Sequence, residues 1–318
     1  MHKVIFDCDP GVDDAMALLF LHASPDVELL AVTTTFGNGT IDTTTRNALH
    51  LVERFGMAVP VARGAAGPLV GRAGDPPHFV HGHNGLGDID LPQMIGLSPD
   101  SRPAHQLIID LVRAHPGEVE IVAVGRMTNL ALALRQDPGI VPLVKQVVIM
   151  GGAFGITGVL GNVTPAAEAN IWGDPLAADE VTAAAWPLTM VGLDVTQATR
   201  MSQDYLRSLA DEAGAAGRFI WEISRFYENF HIAGGEDAIF VHDSSAVAYL
   251  LDPALFKTRA GAIRVVSDGL AFGQTIQKPA DRSYPPGDWD GRPQHRICIH
   301  VDSEALRQLY RTTLRRLA

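Results

Sequence analysis

The sequence predicts an α/β fold in which an open, mostly parallel sheet is flanked by helices. Short apolar runs rich in β-branched residues alternate with segments of helical periodicity along all 318 residues, a pattern typical of parallel strands joined by helical crossovers. Several of these runs are almost continuously apolar, as expected of strands that are covered on both faces. No shift in composition marks a domain boundary, so we predict one domain over residues 1–318.

The individual elements follow from local patterns. Asp174 followed by Pro175 predicts the start of a helix, because Asp is a favoured N-cap and Pro is favoured in the first turn. An aromatic-rich segment over Phe219–His231 is predicted to be helical, and residues Gly64–Ser101, rich in Gly, Pro and His, to form a long surface loop or lid. The predicted strands are Lys3–Phe6, Glu28–Thr34, Val119–Val124, Gln146–Met150, Leu188–Leu193 and Ala262–Val266.

Charge and composition exclude several classes of function. The chain has 25 basic and 36 acidic residues, a formal charge of −11, and no basic run that would attract a phosphate backbone, so nucleic acid is not an expected partner. No apolar stretch reaches the ~18 residues of a membrane helix, so no membrane partner is expected either. Two cysteines, Cys8 and Cys298, are too few for a disulfide framework, and the N-terminal residues lack an apolar signal segment. We therefore expect a cytoplasmic protein.

Four aspartates follow the first predicted strand within eight residues. They lie in the segment Asp7-Cys8-Asp9-Pro10-Gly11-Val12-Asp13-Asp14. Carboxylates this close disfavour one another's charge unless a cation lies among them, and oxygen-only ligands favour Ca²⁺ or Mg²⁺ over zinc. Open α/β sheets bind ligands beyond the carboxyl ends of their strands. Two alternatives remain open at this point: the aspartates cap a turn and a helix, or Asp7 is the nucleophile of a haloacid dehalogenase-type phosphatase.

The aspartate segment, extended to Asp7–Ala15, is followed by an ordered series of further motifs. They are Thr34–Asn38, Val80–Gly82, Gly85–Gly87, Val124–Asn129, Met150–Gly152, Gly161–Pro165, Glu168–Asn170 and Val241–Asp243. Together these segments resemble the nucleoside hydrolase family, of the inosine-uridine-preferring type, whereas a phosphatase would predict none of the later motifs. The resemblance implies the nucleoside hydrolase fold, hydrolysis of the N-ribosidic bond of ribonucleosides to ribose and free base, and a homodimer or homotetramer.

The resemblance also implies roles for individual residues. Asp9 would act as general base, and His242 would protonate the leaving base, although a structural histidine fits the sequence equally well. The implied ligands of a Ca²⁺, which also takes the ribose 2′- and 3′-hydroxyls, are Asp9, Asp14, Asp243 and the backbone carbonyl of Val124. The implied substrate contacts are Asp13 and Asn170 at the 2′-hydroxyl, Asn162 and Glu168 at the 5′-hydroxyl, Asn38 near the attacking water, Met150 along the sugar, and His81, Tyr227 and His231 near the base.

Three departures from the family pattern concern the pocket above the sugar. Ala169 stands where Phe is frequent, the segment Gly155–Gly161 is longer, and Ser244 replaces a frequent Pro. None of them removes an implied ligand, so they bear on the preferred base. Two further alternatives remain: a non-catalytic, Ca²⁺-dependent ribose-binding module, and a transition-metal site formed by the histidines of residues 78–83.

Overall fold

The computed structural model describes residues 1–156 and 158–318, and its centre is a nine-stranded sheet. The strands found in these residues are β1 His2–Cys8, β2 Val27–Thr34, β3 Val61–Ala62, β4 Val119–Ala123, β5 Gln146–Met150, β6 Leu188–Val191, β7 Arg200–Ser202, β8 Ala238–Phe240, β9 Phe256–Val265, β10 Thr275–Pro279 and β11 His295–Val301. The sheet order is β10-β9-β11-β6-β5-β4-β1-β2-β3, and β7 pairs with β8 apart from it. All pairs from β11 to β3 are parallel, whereas β9 is antiparallel to both of its neighbours.

Helices cover both faces of this sheet. They are α1 Val12–Ala23, α2 Ile41–Arg54, α3 His78–His81, α4 Ala104–Ala114, α5 Thr128–Gln136, α6 Ala169–Gly173, α7 Pro175–Ala183, α8 Leu193–Thr196, α9 Gln203–Glu212, α10 Gly214–Ala233, α11 Asp243–Leu251 and α12 Ser303–Leu314. Short 3₁₀ helices span Pro138–Leu143, Pro253–Leu255 and Arg315–Leu317. In the part of the chain that the structure describes, no helix combines the length and hydropathy needed to cross a bilayer.

The strands have a hydrophobic core on each side because successive side chains point to opposite faces. In β1, Val4 and Phe6 pack into a core that includes residues of α1, α10, α11 and α12, whereas Ile5 packs into the core of α4, α5 and α7. This two-sided burial explains why the central strands are mostly apolar. The predicted fold class, a mostly parallel sheet flanked by helices, is confirmed.

The parallel register brings several strand ends to one edge of the sheet. Asp7 of β1 lies opposite Thr33 of β2 and Ala123 of β4, and Ala123 lies opposite Ile149 of β5. The segments that leave β1, β2, β4 and β5 therefore emerge side by side. The aspartates after β1 lie at this edge, where a parallel sheet binds its ligands.

Most predicted elements are found, with corrections at their ends. Gln146–Met150 matches β5, the helix predicted at Asp174-Pro175 is α7, and Phe219–His231 lies within α10. The prediction for Leu188–Leu193 is wrong at its end, because β6 stops at Val191 and Leu193 begins α8. Ala262–Val266 covers only the last part of a longer, antiparallel β9. The other corrections are one or two residues: β1 exceeds Lys3–Phe6 at both ends, β2 begins before Glu28 and β4 ends before Val124. Within Gly64–Ser101 the structure has one short helix, α3, and the division into a single domain stays a prediction.

Candidate active site

A cavity of about 520 Å³ opens at the edge of the sheet where β1, β2, β4 and β5 end. Asp9 and Asp14 lie behind its lining and are almost fully buried. The other residues with an implied role all line it: Asp13, Asn38, His81, Val124, Met150, Asn162, Glu168, Asn170, Tyr227, His231, His242 and Asp243. Residues from distant parts of the sequence therefore meet in one place.

Three carboxylates form an acidic cluster, which we define as Asp13, Asp14 and Asp243. One oxygen of each lies within 4.8 Å of the other two. Asp13 and Asp14 lie in the first turn of α1, and Asp243 begins α11. Burial, and next the charge of Asp14, raises the pKa of Asp13 to about 8, and burial also raises the pKa values of Asp14 and Asp243. A cation among them would offset this unfavourable crowding of charge.

The Asp14 carboxylate is held in place by hydrogen bonds from neighbouring groups. Its Oδ1 accepts the backbone N–H of Asp9 at 3.0 Å. Its Oδ2 accepts the backbone N–H of Gly11 and the Asn38 side-chain amide, each at 2.9 Å. The turn after β1 therefore fixes the orientation of this carboxylate, and Asn38, which comes from the loop after β2, adds to it.

Asp9 has one carboxylate oxygen that is bound and one that is not. Oδ2 accepts the backbone N–H of Asn38 and Nη1 of Arg126, both at 2.7 Å. Oδ1 is buried and has no hydrogen-bond partner among the described residues, and the same is true of Asp13 Oδ1. Burial, followed by the charge of Asp14, raises the pKa of Asp9, while Arg126 opposes the rise. Buried oxygens without partners fit a site that receives a cation or an ordered water.

On one side of the cluster, polar side chains are fixed by backbone groups. The Asn170 amide donates to the carbonyls of Val124 at 2.7 Å and Met150 at 3.2 Å. Glu168 is the N-cap of α6 and accepts backbone N–H groups from that helix and from Gly152. Oδ1 of Asn162 accepts a further N–H at the start of α6. These residues form a polar wall next to the cluster, and hydrogen bonds to backbone groups hold their side chains in place.

On the other side, the cavity wall is aromatic. The rings of His81 and Tyr227 are stacked with centroids 5.5 Å apart, and His231 meets Tyr227 edge-on at 4.6 Å. His242 pairs through Nδ1 with the Thr196 hydroxyl at 2.8 Å. Burial lowers the pKa of His81 and His242 to about 3 and that of His231 to about 4, so all three imidazoles are neutral at pH 7. An apolar ring system would stack well on this wall.

Two alternatives from the sequence find no support in the site. Asp7 does not line the cavity. Its Oδ1 accepts hydrogen bonds from the Thr33 hydroxyl and the Asn129 side-chain amide, and burial raises the pKa of Asp7 to about 7. Within residues 1–156 and 158–318, the histidines of residues 78–83 do not form a group able to hold a metal ion, unlike the acidic cluster. The sequence places Arg126 in the motif Val124–Asn129. The motif does not reveal the contact of Arg126 with Asp9, which lies 117 residues away.

A family model described as inosine-uridine preferring nucleoside hydrolase matches residues 4–308 of the chain. The chain belongs to this family. Similar proteins include Uridine nucleosidase 1 of Arabidopsis thaliana, 38% identical over 315 residues that cover 98% of this chain and 93% of that protein. The inosine-uridine preferring nucleoside hydrolase of Crithidia fasciculata is 38% identical over 322 residues, covering 99% and 98%. Among solved structures, the plant nucleoside hydrolase PpNRh1 gives a TM-score of 0.93 at 37% identity, with 98% of both chains covered.

The match establishes the reaction as well as the fold. This nucleoside hydrolase is an N-glycosyl hydrolase that cleaves ribonucleosides. The resemblance predicted from the motifs is confirmed, and the phosphatase and the ribose-binding module have no support in these comparisons. The acidic cluster can hold a metal ion, whereas the identity of the ion and the role of each residue are still predictions.

Proposed function

We propose that this nucleoside hydrolase is Ca²⁺-dependent and that Asp9 is its general base. The proposed ligands are the side chains of Asp9, Asp14 and Asp243 and the carbonyl of Val124. The observation that carries the proposal is the buried Oδ1 of Asp9, which has no hydrogen-bond partner among the described residues. Burial, followed by the charge of Asp14, raises the pKa of Asp9, and Asp14 belongs to the acidic cluster, whose oxygens lie within 4.8 Å of one another. Every donor in this set is an oxygen, which suits a hard divalent ion with a high coordination number.

The chemistry proposed for the site needs one ion and one proton acceptor. Bound Ca²⁺ would orient the ribose diol and acidify the attacking water. Asp9 takes the proton of that water at Oδ1 while Oδ2 remains bound to Asn38 and Arg126. The water oxygen bonds to the anomeric carbon, the C–N bond breaks, and its electron pair leaves with the base. Asp13, at the 2′-hydroxyl, and Glu168, at the 5′-hydroxyl, add negative charge around a sugar that becomes positive in the transition state.

The base is proposed to lie against the aromatic wall. The His81–Tyr227 stack offers a flat surface to a purine or a pyrimidine. His242 uses Nδ1 for Thr196, which leaves Nε2 to hydrogen bond with the departing base. Burial keeps the pKa of the imidazole at about 3 in the free site, so protonation of the base by His242 requires this pKa to rise when the nucleoside binds. Relatives are named uridine nucleosidase and inosine-uridine preferring nucleoside hydrolase, so we propose uridine and inosine as substrates.

Release of reducing sugar from inosine, uridine, cytidine and adenosine tests the proposal. Asp9→Asn should lower kcat by about 10³-fold or more, since general-base catalysis contributes about 10²–10⁴-fold and Asp9 is also a proposed ligand. Asp26→Asn, which changes an exposed carboxylate, is the matched control. EDTA should abolish turnover and Ca²⁺ should restore it better than Mg²⁺ or Zn²⁺. An Asp9→Asn variant with the kcat of the wild type would contradict the assignment of the base.

The homodimer or homotetramer and the cytoplasmic location implied by the sequence stay predictions. Analytical ultracentrifugation of the purified chain measures the first, and fractionation of the source cells measures the second.

A further inference from the structure

An arginine, Arg126, is buried beside an acidic residue of the active site. Arg126 is 9% exposed, and its Nη1 lies 2.7 Å from Asp9 Oδ2. Its guanidinium carbon lies 5.3 Å from the centroid of the Phe36 ring. Burial of a guanidinium is unfavourable unless the charge is paired and the geometry is fixed. The pairing with Asp9 compensates the charge through Nη1, whereas Nε is buried without a hydrogen-bond partner among the described residues.

The slot that holds this ion pair depends on glycines. A Cβ atom on Gly37 would lie 1.5 Å from Nη1 of Arg126 and 1.8 Å from Oδ2 of Asp9. A Cβ atom on Gly173 would lie 2.2 Å from Nε of Arg126, and one on Gly125 would lie 2.6 Å from Oδ1 of Asp9. Both partners are therefore enclosed by backbone that approaches more closely than any side chain would allow.

The hydrogen bonds of Asp9 give its two oxygens different surroundings. Oδ2 accepts two donors, Nη1 of Arg126 and the backbone N–H of Asn38. Oδ1 accepts none among the described residues. Rotation of the carboxylate would exchange the two oxygens, and it would have to break the charged hydrogen bond to Arg126, which is stronger than a neutral one.

We propose that Arg126 is a positioning residue that locks the Asp9 carboxylate, so that Oδ1 alone faces the metal and the attacking water. The inference rests on the proposed function of Asp9 as ligand and base. Arg126 acts through Asp9, and we assign it no contact with the reacting atoms. Outer groups that orient a metal ligand affect metal affinity and activity together.

A purely structural role for Arg126 has to be separated from positioning. Arg126 also lines a second cavity of about 540 Å³, which shares Asp75 and Trp172 with the first. Truncation to alanine would join the two cavities and confuse the result. Arg126→Met fills the slot but has no donor, and Arg126→Lys keeps the charge on a shorter chain with a single ammonium. Arg113→Met, which removes a surface arginine paired with Asp137, is the matched control.

The experiment measures kcat and KM for uridine, the Ca²⁺ dissociation constant of the metal-depleted protein by calorimetry, and the thermal midpoint. For Arg126→Met we expect kcat to fall about 10–100-fold and the Ca²⁺ affinity about 10-fold, with KM changed by less than about 3-fold. Arg126→Lys should lie between Arg126→Met and the wild type in both quantities, and Arg113→Met should match the wild type.

Wild-type kcat and Ca²⁺ affinity in a folded Arg126→Met variant would overturn the proposal, as would a loss confined to KM. If the methionine variant does not fold, Arg126→Lys decides: wild-type values in that variant overturn the proposal, and reduced values support it. The Ca²⁺ dissociation constant is measured without turnover. A wild-type protein that binds Ca²⁺ but releases no ribose would therefore refute the proposed function. The difference in Ca²⁺ affinity between the wild type and Arg126→Met would still test the role of Arg126.

Discussion

The acidic cluster predicts that one substitution has opposite effects with and without the ion. Asp243→Asn preserves the shape of the side chain and removes one of three charges whose oxygens lie within 4.8 Å. At that distance and an effective dielectric constant of ~20, each pair of like charges costs about 3.5 kcal/mol. Two such pairs set an upper bound, which protonation within the cluster reduces, because burial raises the pKa of all three carboxyls. Removal of a negative charge from the start of α11 costs up to about 1 kcal/mol.

In the metal-free protein, Asp243→Asn should therefore increase the free energy of unfolding by about 1–3 kcal/mol. For a chain of this size, this increase corresponds to a melting temperature that is roughly 2–6 °C higher. In saturating Ca²⁺ the same variant should melt below the wild type, because a charged ligand is lost. Differential scanning calorimetry at pH 8, in EDTA and in CaCl₂, measures both effects, with Asp26→Asn as the control. An equal loss of stability in both solutions would refute the reasoning.

The pKa shifts and the position of His242 give two further predictions. Burial raises the pKa of Asp13 to about 8, and it also raises the pKa values of Asp14 and Asp243. Without an ion, the folded state therefore binds more protons than the unfolded state above pH ~4. Its free energy of unfolding then falls as the pH rises. The rise in melting temperature on adding Ca²⁺ should therefore be larger at pH 8 than at pH 5, and equal increments would count against the cluster as the ion site. His242→Gln should lower kcat for uridine by about 10²-fold and leave hydrolysis of p-nitrophenyl riboside, whose leaving group needs no proton, almost unchanged. Equal losses on the two substrates would exclude assistance to the leaving group.

The central strands were predictable because burial on both faces leaves mostly apolar runs. The same property hides their ends: apart from Thr189, the run Leu188–Leu193 has no polar side chain, although Gly192 ends the strand region and Leu193 begins α8. Exposed polar residues at Lys257 and Thr258 interrupt the first half of β9, so only its last part was visible. Strands β7 and β8 have three residues each, too few to establish a period of two.

The site was predictable to different degrees. Asp9, Asp13 and Asp14 lie close together in sequence, and their spacing after a strand favours a cation site, although helix capping and a phosphatase nucleophile remained open until the family resemblance was added. Asp243 joins them only through the tertiary fold, and the family resemblance was needed to connect it. The contact of Arg126 with Asp9 was not visible, because Asp9, Gly37 and Gly173 come from segments far from Arg126 in sequence.

The most direct test of the account is a crystal structure with Ca²⁺, measured at a wavelength where the ion scatters anomalously. We expect one anomalous peak, bounded by Asp9 Oδ1, the carboxylates of Asp14 and Asp243, and the Val124 carbonyl. A peak elsewhere, or carboxylates of Asp14 and Asp243 that turn away from each other with no ion between them, would contradict it.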